Sequence, residues 1–183
     1  MSQPVSDDGC FRRFRFSDDD RDEVLRDIEA DRALLAAAIP GAASPAILRA
    51  QVRLGFSLTP LGCEAEAAEH LESAVTMARM LGEHGQEVTA LLHLATALQY
   101  LGDRDRAQQL FQEGLDAAAG YGIGADVHFL LHHRARCYAE QDRLTEAREG
   151  MAQALALRQQ LGDPRFISSS QGALDELDRM LRG

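Results

Sequence analysis

The fold is decided by the stretch Thr89–Phe111, which reads TALLHLATALQYLGDRDRAQQLF. Its first part places Leu and Ala at helical spacing as far as Leu101. Gly102 and Asp103 follow, which combine a helix stop with a residue that typically caps the next helix. The stretch therefore predicts two helices joined by a tight turn, a first helix A and a second helix B.

The same pattern occurs three times without gaps, at a period of 40 residues. Its columns are small residues on helix A (Gly55, Ala95, Ala135), alanines on helix B (Ala67, Ala107, Ala147) and large apolar residues further along helix B (Leu71, Phe111, Met151). Small residues allow antiparallel helices to approach to about 8–10 Å, and the large ones fill the space between repeats. A repeat of this length predicts an all-α helical-hairpin solenoid.

The flanks predict a capped solenoid in a single domain. We expect a disordered segment over residues 1–17, a capping helix over 18–38, repeats over 44–82, 84–120 and 124–161, and a C-terminal capping helix over 165–182. The last helix is expected to point Leu174, Leu177, Met180 and Leu181 inward and its acids outward, because a terminal helix must shield the core with a polar face.

These columns resemble the tetratricopeptide repeat family, in its longer variant of about 40 residues found in kinesin light chains and bacterial signalling regulators. The second copy carries the resemblance best, with Leu94-Ala95, Leu98, Gly102-Asp103, Ala107 and Phe111. The third copy has Gln141-Asp142 at its turn, and the first has Pro60 and Gly62-Cys63 there. The resemblance implies a right-handed solenoid of three repeats that binds a protein or peptide in its concave groove.

Composition excludes several other classes. The formal net charge is -10, and all 19 cationic residues are Arg, which argues against a general nucleic-acid binder. No apolar run is long enough for a membrane span, and the polar, acidic start does not resemble a signal peptide. Three widely spaced cysteines fit a reducing cytoplasm better than a disulfide framework.

No catalytic motif is present, so the sequence predicts neither an enzyme nor a cofactor. His128 and His132 are spaced i, i+4 on a helix, with His133 adjacent and Cys137 four residues beyond it. That spacing suits a metal only if further ligands converge. A histidine-based metal protein is therefore the weaker alternative.

A candidate binding strip follows from the register, because Arg53, His93 and His133 are each 40 residues apart. Helix A lines the groove in the family that the chain resembles, so we expect the partner to contact Arg49, Arg53, His93, Thr96, Gln99, Tyr100, His132, His133 and Arg136. Such a basic and polar strip suits an acidic peptide or a free carboxylate. The other interpretation is a solvated face with incidental Arg and His.

The predicted function is thus a non-catalytic scaffold for protein–protein or protein–peptide interaction, cytoplasmic and without stable membrane insertion. Two of its positions, Val52 and Phe56, stand where the family's carboxylate clamp has Lys and Asn, so the resemblance does not imply chaperone C-terminal recognition. The alternative is a ligand- or peptide-sensing regulatory module of a bacterial signalling or transcription system. A homodimer is also possible, as is docking of Phe11–Phe16 (FRRFRF) into the groove.

Overall fold

The computed structural model describes residues 18–39 and 41–182. The predicted segment 1–17, with its Phe-Arg stretch, lies outside the described residues. The described residues form eight α-helices: α1 (Asp18–Ala37), α2 (Pro45–Leu58), α3 (Glu64–Leu81), α4 (His84–Leu101), α5 (Arg104–Tyr121), α6 (Val127–Glu140), α7 (Leu144–Leu161) and α8 (Pro164–Met180). The described residues contain no strand, and the all-α prediction is confirmed.

The helices pack in chain order as three hairpins, α2/α3, α4/α5 and α6/α7, each helix against the next. The A helices α2, α4 and α6 also contact one another side by side, which forms a continuous inner layer. At the ends, α1 packs on α2 and α8 packs on α7. None of the described helices is long and apolar enough to cross a lipid bilayer.

The turns repeat as regularly as the helices. A left-handed residue ends every A helix region, at Gly62, Gly102 and Asp142, and every B helix, at Gly82, Gly122 and Gly162. Each A–B turn also closes with the same backbone bond, in which the amide at position 63, 103 or 143 donates to the carbonyl of Leu58, Leu98 or Tyr138. Pro60 sits in a short 3-10 turn, Thr59–Leu61, and leaves this geometry intact.

The small residues at equivalent positions of the A helices allow the two helices of a hairpin to pack at close range. Gly55, Ala95 and Ala135 are buried on helix A, and Leu71, Phe111 and Met151 are fully buried on helix B. In the first repeat, a Cβ placed on Gly55 would lie 2.2 Å from Leu71 Cγ. Gly55 is therefore required by close helix approach.

The capping helices are only partly as expected. Ile28 buries the inner face of α1, and Leu177 and Ala173 do so for α8. Leu181 is 43% exposed, so the prediction that it points inward is wrong. It lies one residue beyond the end of α8, where the helical register no longer directs it to the core.

Candidate functional site

The inner layer contains a cavity of 330 Å³ between α2, α4 and α6. Most of its lining is apolar or aromatic. The lining residues are Phe56, Thr59, Pro60, Leu92, His93, Thr96, Tyr100, Asp126, Phe129 and His133. The Phe56 ring of α2 lies 5.1 Å from the His93 ring of α4, centre to centre, so the lining residues of these two helices are in contact. A ring-lined concave site with few polar groups is typical of a ligand pocket.

Four of the nine predicted binding residues line this cavity: His93, Thr96, Tyr100 and His133. Thr96 donates to the Leu92 carbonyl at 2.8 Å, which leaves its methyl group and oxygen lone pairs at the wall. These four residues come from two neighbouring A helices, as the register predicts.

The other five predicted residues lie outside the cavity wall. Arg53 is bound to α1, because its Nε donates to the Asp31 carboxylate at 3.0 Å and its terminal nitrogen donates to the same group. Arg49, one turn earlier, is exposed. The two α2 arginines are thus turned toward the N-terminal capping helix or solvent.

Gln99, His132 and Arg136 are buried, with 0%, 5% and 6% of their surface exposed. Gln99 donates to Glu140 at 2.7 Å, and Arg104 holds the other oxygen of that carboxylate at 2.9 Å. These side chains join helices and do not present a surface strip. The nine residues therefore do not form one continuous basic strip.

The two groove histidines are neutral at physiological pH. Burial lowers the pKa of His93 to about 4, against a smaller opposing effect of Asp126. Burial, and next the charge of Arg136, lower the pKa of His133 well below 6.5. Among the described residues, Asp126 is the only carboxylate in the wall, and its side chain accepts a 2.6 Å hydrogen bond from Thr89. The wall is accordingly apolar, with one negative edge.

Six lining residues were not predicted from the sequence: Phe56, Thr59, Pro60, Leu92, Asp126 and Phe129. The register contained a signal for five of the six, because each shares a column with a predicted binding residue. The pairs are Phe56 with Thr96, Thr59 with Gln99, Pro60 with Tyr100, Leu92 with His132 and Phe129 with Arg49. None of these five residues is basic, so the predicted basic strip does not include them. Asp126 precedes α6 and shares its column with Ala46 and Gln86, neither of which is a predicted binding residue, so the register gave no signal for it.

The i, i+4 histidines meet an arginine. Arg158 donates through Nε to His128 Nδ1 at 3.1 Å and approaches His132 Nδ1 with Nη1 at 3.1 Å. The positive charge of Arg158 at that distance disfavours the binding of a metal cation by these histidines. Across residues 18–39 and 41–182, no three His, Cys, Asp or Glu side chains are grouped to hold a metal ion.

Fold and groove together define a helical-hairpin repeat protein with a ring-lined inner surface. Residues 46–119 match the tetratricopeptide repeat family, which confirms the predicted resemblance over this segment. Repeats of this family mediate protein–protein interaction and are generally non-catalytic. No curated protein matches the sequence.

Solved structures extend the likeness to most of the chain. A putative kinesin light chain from Podospora anserina, with nearly identical TPR-like repeats, is 22% identical, with 87% of this chain and 79% of that chain covered and a TM-score of 0.69. The TPR domain of Arabidopsis FLU is 19% identical, with 62% and 95% covered and a TM-score of 0.59. The apo form of RapI is 15% identical, with a TM-score of 0.75. The aligned region includes 88% of this chain and 45% of the RapI chain. At these identities the likeness defines the fold.

Proposed function

We propose that the chain is an interaction module that binds a protein partner in the groove, with an apolar or aromatic side chain of the partner seated in the cavity between α2, α4 and α6. The observation that carries this proposal is the wall itself, because rings and aliphatic groups surround 330 Å³ of concave space on the inner layer. Concave, apolar pockets with few polar groups are the usual anchor sites of such interfaces.

The charge of the wall favours a neutral or cationic anchor over the acidic ligand expected from the sequence. His93 and His133 carry no charge at neutral pH, and Asp126 would repel a carboxylate. Arg53 already pairs with Asp31, so its charge is largely compensated within the chain. An anionic peptide would therefore lose solvation without gaining a charge partner in the cavity.

Selection from a phage library of random peptides tests the proposal on the full chain. We expect enriched peptides to contain Phe, Tyr, Trp or Leu at a fixed position and to lose binding at least tenfold to Phe56→Asp. Phe56 is 50% exposed, so this substitution changes the wall with little effect on the core. Met80→Asp on α3 is the matched control, because Met80 is 67% exposed and does not line the groove cavity.

The opposite outcomes are equally specific. Peptides that bind wild type and Phe56→Asp equally would place the interaction elsewhere on the molecule. Enrichment of acidic peptides that lose binding to Arg49→Ala would support the basic strip in place of the apolar cavity. Arg49 is exposed and outside the cavity wall, so its substitution separates the two hypotheses.

A further inference from the structure

The junction between the third repeat and α8 contains a polar cluster where the other repeats have an apolar core. Three buried positions carry the change, and each is compared with its equivalents 40 and 80 residues earlier: Arg158 replaces Ala118 and Ala78, His128 replaces Val88 and Leu48, and His132 replaces Leu92 and Val52. All nine side chains are buried. The third repeat therefore exchanges apolar contact for hydrogen bonds at this one interface.

Arg158 is the centre of the cluster and is 3% exposed. Its Nε donates to His128 Nδ1, and its Nη1 donates to Ser170 Oγ at 2.8 Å and to the Phe166 carbonyl at 3.1 Å. Ser170 Oγ in turn lies 3.0 Å from His132 Nδ1, to which its hydroxyl can donate. His128 must therefore keep Nδ1 unprotonated, and the 3.1 Å approach of Arg158 Nη1 to His132 Nδ1 favours the same state there, so the cluster fits neutral imidazoles.

The charges around the cluster are nearly all positive. Arg158 makes no salt bridge with any carboxylate in the described part of the chain, and burial alone lowers its pKa to about 10. His132 faces His128, His133 and Arg136 from α6 and Arg158 from α7, and α8 contributes only the neutral Ser170. The charge of Arg158 lowers the pKa of His128, and the charge of Asp126 acts against it. Burial and these cations lower the pKa of both histidines.

The N-terminal half of α8 is attached through this cluster and through the partly buried ring of Phe166. In the first turns of the helix only Ser170 is buried, whereas Ala173 and Leu177 anchor the second half in the apolar core. Residues 168–172 read Ser-Ser-Ser-Gln-Gly, which has weak helix propensity. This half of the helix is therefore kept in place by tertiary contacts and not by its own stability.

We propose that the N-terminal half of α8 is an acid-released latch, held closed by Arg158 through Ser170 and Phe166 and opened when His128 or His132 gains a proton. A protonated imidazole loses its Nδ1 acceptor and sets a second positive charge about 3 Å from the guanidinium. The change that relieves this repulsion at the lowest cost in free energy is movement of the weakly held half of α8 away from the cluster, so that water reaches both cations. The second half stays anchored through Leu177.

The latch also contacts the groove wall. The Phe166 ring packs edge-on against Phe129 at 5.0 Å, and Phe129 lines the cavity. Opening α8 thus removes a support from that wall, a consequence that rests on the proposed function. The release itself does not rest on it, and the experiment below measures only the release.

Hydrogen exchange with mass spectrometry on the full chain tests the latch between about pH 7.5 and pH 5. After correction for intrinsic rates, we expect protection of residues 164–172 to fall at least tenfold more than protection of α5. Asp163, the N-cap of α8, does not account for such a loss, because its hydrogen bonds with Arg165 lower its pKa to about 2. Equal loss of protection in both segments of the wild type would overturn the proposal.

Two variants identify the titrating groups. His128→Val/His132→Leu/Arg158→Ala restores the residues of the second repeat, and His128→Asn/His132→Asn keeps the arginine with acceptors that do not titrate in this range. We expect the acid-specific loss over 164–172 to disappear in both. If the triple variant fails to fold, as judged by circular dichroism, the double variant decides. An acid-specific loss that persists in a folded variant without these histidines would refute the latch.

Discussion

The close approach of α2 and α3 predicts a strong and specific effect of Gly55→Ala. An added Cβ would lie 2.2, 2.5 and 2.6 Å from Cγ, Cδ1 and Cδ2 of Leu71, whose side chain is fully buried. Carbon atoms pack at about 3.5–4.0 Å, so Leu71 must move by more than about 1 Å in a filled core. Overpacking of this kind costs up to about 3 kcal/mol, and the helix propensity of Ala returns about 1. We expect a net loss of about 2 kcal/mol.

Urea unfolding followed by far-ultraviolet circular dichroism measures this loss, with two comparison variants. Gly85→Ala is the matched control, because nothing lies within 4 Å of its added Cβ and it should gain up to about 1 kcal/mol from propensity. Gly55→Ala/Leu71→Met recreates the Ala135 and Met151 pair of the third repeat and should recover most of the stability. If Gly55→Ala proved as stable as Gly85→Ala, the inferred helix contact would be wrong.

Two further predictions concern the described core. His93 lowers the free energy of unfolding increasingly as pH falls from about 6.5 to about 4, because the unfolded chain binds the proton more readily than the folded chain. At pH 5 this loss amounts to about 2 kcal/mol. Between pH 7.5 and pH 5, the unfolding free energy of His93→Leu should therefore fall by about 2 kcal/mol less than that of wild type. An identical pH dependence for the two proteins would contradict the assigned burial. In a Cys10→Ser background, Ellman's reagent should modify exposed Cys63 in the native state and Cys137 only after unfolding, because Cys137 is buried and its pKa is raised to about 12. Rapid modification of both thiols without denaturant would show that α6 opens locally.

Much of the fold could be predicted from the sequence because the 40-residue register is a packing constraint. Gly55 and its equivalents on helix A are small because helix B passes close to them, so their spacing determines both helices. The Gly102-Asp103 turn likewise follows from local chemistry, with Asp103 accepting from the amide of Arg106. Such features depend on neighbours in the sequence or at a fixed period.

The candidate site could be predicted less completely, because its character depends on contacts between elements. The register places Arg53, His93 and His133 in one column but does not show that Asp31 of α1 pairs with Arg53. It also does not show that burial leaves His93 and His133 neutral. The 40-residue register thus predicted the location of some of the residues that line the cavity. The charge of the cavity wall, in contrast, is determined by tertiary packing.

The recurrence of one turn geometry has a consequence for the length of the protein. Gly62, Gly102 and Asp142 each end a hairpin's first helix with the same backbone closure. A chain cut at one of these turns presents the same junction as a chain cut at the next. A copy of residues 103–142 inserted after Asp142 would therefore join matching ends and lengthen the inner wall by one unit. In this protein, length is a modular quantity, and the extent of surface offered to a partner can change in whole repeats without redesign of the core.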